Sequence, residues 1–508
     1  MSKKSLIAGT LILTLASFIT RLLGFGFRIY QSQVMGASGM GLYQLLFPIY
    51  MLLWAASSAG IAMAIAKMVA GEVSKGNESN ATHILHVSIF ISLPISIVLS
   101  ILLYLFAPFI SIYYIQEPVT ELSLRILALC VPFMSTACCL RGYFQGHQEM
   151  SITALAQIVE QLGRMITIYL LAGLLVPQGI KYICALGVIG MCAGEFFSFI
   201  MSYIAYRIKK RSLKLNAVSL KTSDTFKKLL NLSVPVTANR FLTSGLQSFQ
   251  NILIPITLGQ FGLSSNSALG LYGKFSGMAL PLLMFPSMVT SSLATALVPA
   301  ISEAVAMKNT TLLKNTMSKA IQFSSLIGIG STTLFLTLPD EIAIACYKLP
   351  EVGQLLKWLA IICPFLYLQN ILTGAMNGLG MQKKTFITNI MGSCLCIIVI
   401  LTLVPSRGII GFVLAMLLQS GFVCTMLLSY VLKFIDLPVD IRNWIVMPSI
   451  AAFICSFVTI TINKTYLIHN FTPTLATTLS VCLLGGSYII ILFLIGAIKI
   501  NDLKNIRL

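Results

Sequence analysis

Four cations with no obvious counter-charge stand inside long apolar runs: Arg21, Arg28, Arg240 and Lys274. Leaving an ionised guanidinium in hydrocarbon costs at least about 2.5 kcal/mol, so such residues need water, protein or an anionic ligand around them. Arg21 and Arg28 are seven residues apart and project from one helical face. A helix beginning near Leu6 puts Arg21 roughly 22 Å in, with Arg28 close enough to the far interface to snorkel. Gly24 and Gly26 lie between them and loosen the helix where a bend could help. Arg240 belongs to the first helix of the second half, and Lys274 opens the next helix, just after Gly270-Leu271-Tyr272-Gly273. Snorkelling or a backbone carbonyl would account for any one of them. The four together fit that explanation less well and predict a water-filled, positively charged cavity in a helical bundle, hence a transporter for something anionic.

A second group of intramembrane charges has a plainer reading. Glu160 and Arg164 are i,i+4 on one helix, which predicts a structural pair, with a coupling role for Glu160 as the alternative. Glu195 falls roughly 21 Å into a helix starting near Lys181 and is expected to pair with an arginine or to titrate. Lys67, Arg125 and Lys357 are near enough to helix ends to snorkel and are given no role. No P-loop, H-E-x-x-H or catalytic carboxylate pair occurs. His83, His86, His147 and His469 are scattered near predicted helix ends. The expectation is therefore no enzyme, no catalytic residue, no metal site and no cofactor. With no nucleotide site, transport must draw on a coupling ion, a membrane potential or the asymmetry of the substrate.

The elements that must hold these charges are membrane helices. The 508 residues are 57% hydrophobic and only 10% charged, with a mean hydropathy of +0.91; soluble chains are about 25% charged. Apolar runs of about 20 residues follow one another, whereas a barrel shows alternating segments of about 10. The first run is too long, and too rich in arginine, for a cleavable signal peptide. The twelve cysteines mostly sit in apolar runs, where free thiols act as small apolar residues. The fold class predicted is an all-α integral membrane protein with fourteen helices at about 6–33, 39–70, 81–110, 119–145, 150–176, 181–209, 225–258, 268–304, 312–338, 351–378, 383–404, 408–434, 441–463 and 474–498.

The net charge of +19 does not point to nucleic acid, because the lysines and arginines sit in alternate loops. Lys3, Lys75, Arg141, the run from Arg207 to Lys228, Lys308, Lys383, Lys433, Lys499, Lys504 and Arg507 mark one side; Lys181, Lys348, Arg407 and Lys464, with Glu117, Asp340, Glu341 and Glu351, mark the other. By the positive-inside rule both termini are cytoplasmic. An internal repeat divides the chain: Leu127, Ala128, Pro132, Phe133, Gly142 and Gly146 match Leu359, Ala360, Pro364, Phe365, Gly374 and Gly378, each 232 positions later. Gly41-Leu42-Tyr43 recurs as Gly270-Leu271-Tyr272. This predicts an N-lobe over 1–210, a basic cytoplasmic linker over 211–228, a C-lobe over 229–436 and an appended helix pair over 437–508. A parallel repeat of this kind places the substrate between its halves.

The opening T-R-L-L-G-F-G-F-R (20–28) and G-A-S-G-M-G-L-Y-Q-L (36–45) resemble the polysaccharide-export branch of the multidrug/oligosaccharidyl-lipid/polysaccharide exporter superfamily, and within it the sporulation members and MurJ-like lipid II flippases. The resemblance covers essentially the whole chain. It implies alternating access and a cargo of polyprenyl-diphosphate-linked cell-wall precursor, lipid II-like, moved from the inner to the outer leaflet of the cell membrane among membrane lipids. The family's first-helix arginine falls on Arg21, and Arg28 stands one position later than the MurJ pattern places its second. The eighth-helix arginine falls on Lys274, without the acid that precedes it in the family, and 48–62 holds no counterpart of the second-helix arginine. The alternatives are export of another lipid-linked oligosaccharide or polysaccharide unit, a cation-coupled multidrug antiporter on the same fold, and a scaffold that transports nothing.

Overall fold

An apolar run in a bilayer satisfies its backbone only within helices or a closed barrel, and every regular element among the described residues is helical. The computed structural model describes residues 3–213 and 218–497, with side chains from Ala16 onward except at Ala59. Residues 214–217 of the expected linker, and Lys499, Lys504 and Arg507, lie outside the described residues. The chain divides into two compact units, Met1–Ile256 and Thr257–Leu508.

The first unit holds α1 (Lys3–Trp54), α2 (Gly60–Val73), α3 (Glu78–Phe109), α4 (Glu121–Gly146), α5 (Met150–Leu175), α6 (Ile180–Ser212) and most of α7 (Thr222–Gln260). The 52 residues of α1 are two helices meeting at Gly36, where φ is 67° and ψ 179°, a conformation that residues with a Cβ rarely adopt. The break falls between the expected helices 6–33 and 39–70. A π-helical turn over Ala55–Ala59 follows, and the Ser57 carbonyl there accepts from the hydroxyls of Ser92 at 3.2 Å and Ser135 at 3.3 Å. Such partners are what an irregular turn needs in apolar surroundings.

The polar linker suggested a division near 211–228, yet α7 as far as Ile256 packs with the first unit. Asn80 donates to Glu72 at 2.8 Å and accepts from the Ser219 backbone N–H at 3.1 Å, which anchors the chain just ahead of α7. Leu229 lies in the apolar core built by α2, α3 and α4. Gly60 lets α2 approach α7 so closely that a Cβ there would overlap Ser233 and Thr237.

The second unit contains α8 (Ser265–Tyr272), α9 (Leu280–Met284), α10 (Ser287–Ala306), α11 (Thr310–Thr337), α12 (Pro339–Tyr347), α13 (Pro350–Leu359), α14 (Cys363–Gly378), α15 (Gln382–Arg407), α16 (Ile409–Ile435), α17 (Met447–Ile462), α18 (Ile468–Asn470) and α19 (Pro473–Leu494). The single helix expected over 268–304 is interrupted by a π-helical turn, Gly273–Ala279, and again at Phe285–Pro286, where proline supplies no N–H to continue the ladder. Among the described residues twelve helices are long and apolar enough to cross a membrane, against the fourteen expected. The run Ala16–Val73 counts once where two helices were expected, and α7, polar along much of its length, is not among the twelve.

The sequence repeat is visible in how each unit packs. In the first, a Cβ on Gly142 would lie 2.7 Å from the Ala62 carbonyl oxygen, and one on Gly146 would lie 2.7 Å from Val69. In the second, Gly374 meets Ala294, and a Cβ on Gly378 would lie 2.9 Å from Ile301. Ala294 and Ile301 follow Ala62 and Val69 by the same 232 positions that separate the glycines. Small residues thus bring α4 onto α2, and α14 onto α10, in one register. The last two long helices, α17 and α19, pack on α11 through Leu326, Ala451, Leu484 and Tyr488. Tyr488 also donates to the Leu326 carbonyl at 3.0 Å.

Candidate functional site

Helices α5 and α6 are drawn together by small residues: a Cβ on Gly163 would press on Phe197 at 2.5 Å, and one on Gly194 on the Glu160 carbonyl at 2.8 Å. That approach places Glu160 and Arg164 beside Glu195 and lets a residue of α4 reach both acids. Arg164 meets Glu160 at 3.2 Å, as their spacing predicted. The pair is not isolated. Arg141 of α4 donates to the other oxygen of Glu160 at 3.4 Å and to the Ser198 hydroxyl at 3.0 Å, and its second amino group is 3.9 Å from Glu195. Tyr50, on α1 just ahead of the π-helical turn, donates to Glu195 at 2.5 Å.

Two guanidiniums therefore balance two carboxylates in a region where Glu195 is only 2% exposed and the Arg141 side chain 13%. Counted formally, the two positive and two negative groups cancel. Two buried polar atoms of the cluster have no hydrogen-bond partner among the described residues, Oε2 of Glu195 and Nε of Arg164. Sequence reasoning counted Arg141 among the basic residues of a loop. Its place on α4, roughly 7–8 Å from the end of that helix, and the lack of a cation at its repeat counterpart, Thr373, were the signals that could have found it.

The four cations picked out from the sequence divide differently. Arg21 and Arg28 are both on α1, Arg21 exposed and Arg28 half-buried. Ser17, Arg21, Gly24 and Arg28 share one face of that helix, spaced by four, three and four residues. The face meets α5: Ser17 donates to Gln157 at 3.3 Å, and a Cβ on Gly24 would lie 3.4 Å from the Gln161 amide. Phe27 and Ile168 continue the contact toward the far end, as do the rings of Tyr30 and Tyr169 at 6.0 Å. Arg240 is exposed on α7, within the first unit. Neither Arg21 nor Arg240 makes an ion pair among the described residues.

Lys274 corrects the expectation of a cation without a counter-charge: it is ion-paired with Glu351 at the start of α13. The sequence placed Glu351 in a loop, and the interrupted α8–α9 segment brings the two together. Arg125, expected only to snorkel, binds Glu121 at 2.7 Å and lies over the Tyr104 ring.

Comparison with known proteins agrees with this arrangement of helices. Residues 6–305, more than half of the chain, match the family model described as polysaccharide biosynthesis protein. The chain belongs to that family. Residues 241–402 also match the model described as MatE, and the two place the chain in the multidrug/oligosaccharidyl-lipid/polysaccharide exporter superfamily of membrane transporters and flippases. Over its full length the chain is 28% identical to Stage V sporulation protein B of Bacillus subtilis (strain 168), covering 98% of that protein. It is 25% identical to Lipid II flippase MurJ of the same organism, over 85% of this chain and 83% of that one. The fold of a solved structure of lipid II flippase MurJ, in an inward closed conformation, matches it with a TM-score of 0.68 at 16% identity, over 95% of this chain and 98% of that one.

Proposed function

We propose that this family member is a flippase for a polyprenyl-diphosphate-linked cell-wall precursor, a lipid II-like unit, carried from the inner to the outer leaflet of the cytoplasmic membrane by alternating access. Both termini face the cytoplasm in this reading, as the basic-residue asymmetry favours. The observation that carries it is Arg21: an exposed guanidinium within a membrane-crossing run, with no ion pair among the described residues. A diphosphate supplies the missing counter-charge, and a guanidinium can grip it through two parallel hydrogen bonds. Arg28 and Arg240 add positive charge for the same anion. Lys274, already held by Glu351, contributes least. Similarity to Stage V sporulation protein B and to Lipid II flippase MurJ supports a peptidoglycan precursor made for the spore over another polysaccharide unit.

The test is complementation in a strain lacking its own lipid II flippases. The wild-type chain should restore growth and Arg21→Ala should not, with membrane accumulation checked by immunoblot. Normal precursor movement by an Arg21→Ala protein that accumulates fully would overturn the reading.

The match of residues 241–402 to MatE favours a second reading, a cation-coupled antiporter. Such a transporter needs an acid free to take up a cation, and Glu160 and Glu195 both face arginines. Proton- or sodium-driven efflux of cationic dyes from proteoliposomes, lost in Glu195→Gln, would favour it over the flippase.

A further inference from the structure

We infer that Gln157 and Gln161 of α5 form a neutral hydrogen-bonding subsite beside Arg21 and read the first sugar attached to the diphosphate. The inference rests on the flippase reading and deepens it, because it assigns the glycan a place on the protein.

The argument starts from register. Ser17 precedes Arg21 by four residues and Gly24 follows it by three, so all three share one face of α1. Ser17 is tied to Gln157 and Gly24 lies against Gln161. Gln157 and Gln161 are themselves one helical turn apart on α5. The two helices run side by side in the same direction here, since Phe27 and Tyr30 of α1 next meet Ile168 and Tyr169 of α5. Arg21 is therefore level with the pair of carboxamides. Gly24 keeps this stretch of α1 slim beside the Gln161 amide, where a Cβ would already be in van der Waals contact at 3.4 Å.

The second part of the argument is unsatisfied chemistry. Both glutamines are half-buried and lie roughly 10–17 Å into α5, within a candidate membrane span. Gln161 makes no hydrogen bond among the described residues, and Gln157 only accepts from Ser17. A carboxamide at that depth is costly unless its polar atoms find partners. These two face the helix that carries Arg21, so the missing partner belongs on that side. An amide offers one acceptor oxygen and two N–H donors, which suits the hydroxyl and acetamido groups of an N-acetylhexosamine and adds nothing for a phosphate that Arg21 does not already provide. The neutral Arg141–Glu160–Glu195 cluster lies deeper among α4, α5 and α6 and leaves these two amides untouched.

The experiment uses the full-length protein in nanodiscs and two probes, farnesyl diphosphate and the same lipid diphosphate carrying one N-acetylglucosamine. The wild type should bind the glycosylated probe more tightly. Gln157→Leu and Gln161→Leu should each reduce that preference about three- to tenfold, the size of one or two neutral hydrogen bonds, while still binding the bare probe. Arg21→Ala should weaken both probes alike. Should a leucine variant fail to fold, Gln→Asn at the same position keeps the amide and shortens its reach, and should lose part of the preference. An unchanged preference in variants that bind the bare probe overturns the subsite and leaves the flippase reading standing. So does a wild type with no preference. Undiminished binding of farnesyl diphosphate by Arg21→Ala overturns the flippase reading, and the subsite with it.

Discussion

Two charged regions of the first unit solve opposite problems with the same residue types. Among α4, α5 and α6, Arg141 and Arg164 face Glu160 and Glu195, and Tyr50 closes the set. On α1, Arg21 stands exposed, with no acid paired to it among the described residues. Burying a charge is tolerable when a partner of opposite sign is fixed beside it, so the first region needs no counter-charge from outside the chain. In the flippase reading the second does: the anion is bound where charges fail to cancel, and on that reading the difference separates architecture from site more sharply than burial does.

The largest effect that could break the comparison is at Arg21. Arg21→Ala should abolish transport, and Arg21→Lys should restore only part of it, because an ammonium cannot offer the paired donors of a guanidinium. Arg240→Ala should show the same kind of defect. Lipid-precursor translocation in proteoliposomes, at matched protein amounts, measures all three. Full activity in Arg21→Lys would mean that charge alone matters at this position.

The neutral cluster predicts a different signature, in stability before transport. Arg141→Leu leaves two carboxylates facing the single Arg164, and removing one partner of a buried pair costs about 3–5 kcal/mol. The variant should accumulate poorly and melt earlier in a detergent thermal-shift assay. Glu160→Gln and Arg164→Gln should each be destabilising, and the double variant should recover part of the loss, because it removes both charges together. If Glu160→Gln melts like the wild type yet no longer transports, and the double variant brings no rescue, the cluster is a coupling site and the contrast with Arg21 collapses.

How much of this was legible follows from the range of the interactions. The Glu160–Arg164 pair is one helical turn long, and its spacing announced it. The break at Gly36 was likewise local, and the repeat register appeared again in the packing of Gly142 and Gly374. Arg141 was not legible, because its partners lie 19 and 54 residues further along the chain and meet it only after α5 and α6 close on their glycines. Lys274 failed for the same reason: Glu351 is 77 residues away. A count of charges along a helix sees neighbours within a turn, and an acid arriving from another helix changes the answer.

Lys274 gives the last and smallest prediction. Its side chain is 25% exposed and that of its partner Glu351 is 64% exposed, so water screens the pair and its worth is about 0–1 kcal/mol. Lys274→Ala and Glu351→Gln should therefore shift the melting temperature little. In transport the two variants should separate if the lysine also meets the substrate. Lys274→Ala should lower the rate a fewfold at most, because its charge is already balanced, whereas Glu351→Gln frees that charge and should lower the KM for the anionic lipid. Measuring initial rates over a range of precursor concentrations distinguishes these outcomes. Should Lys274→Ala prove as inactive as Arg21→Ala, a cation with a fixed counter-charge would matter as much as one without, and uncancelled charge would no longer be the mark of the site.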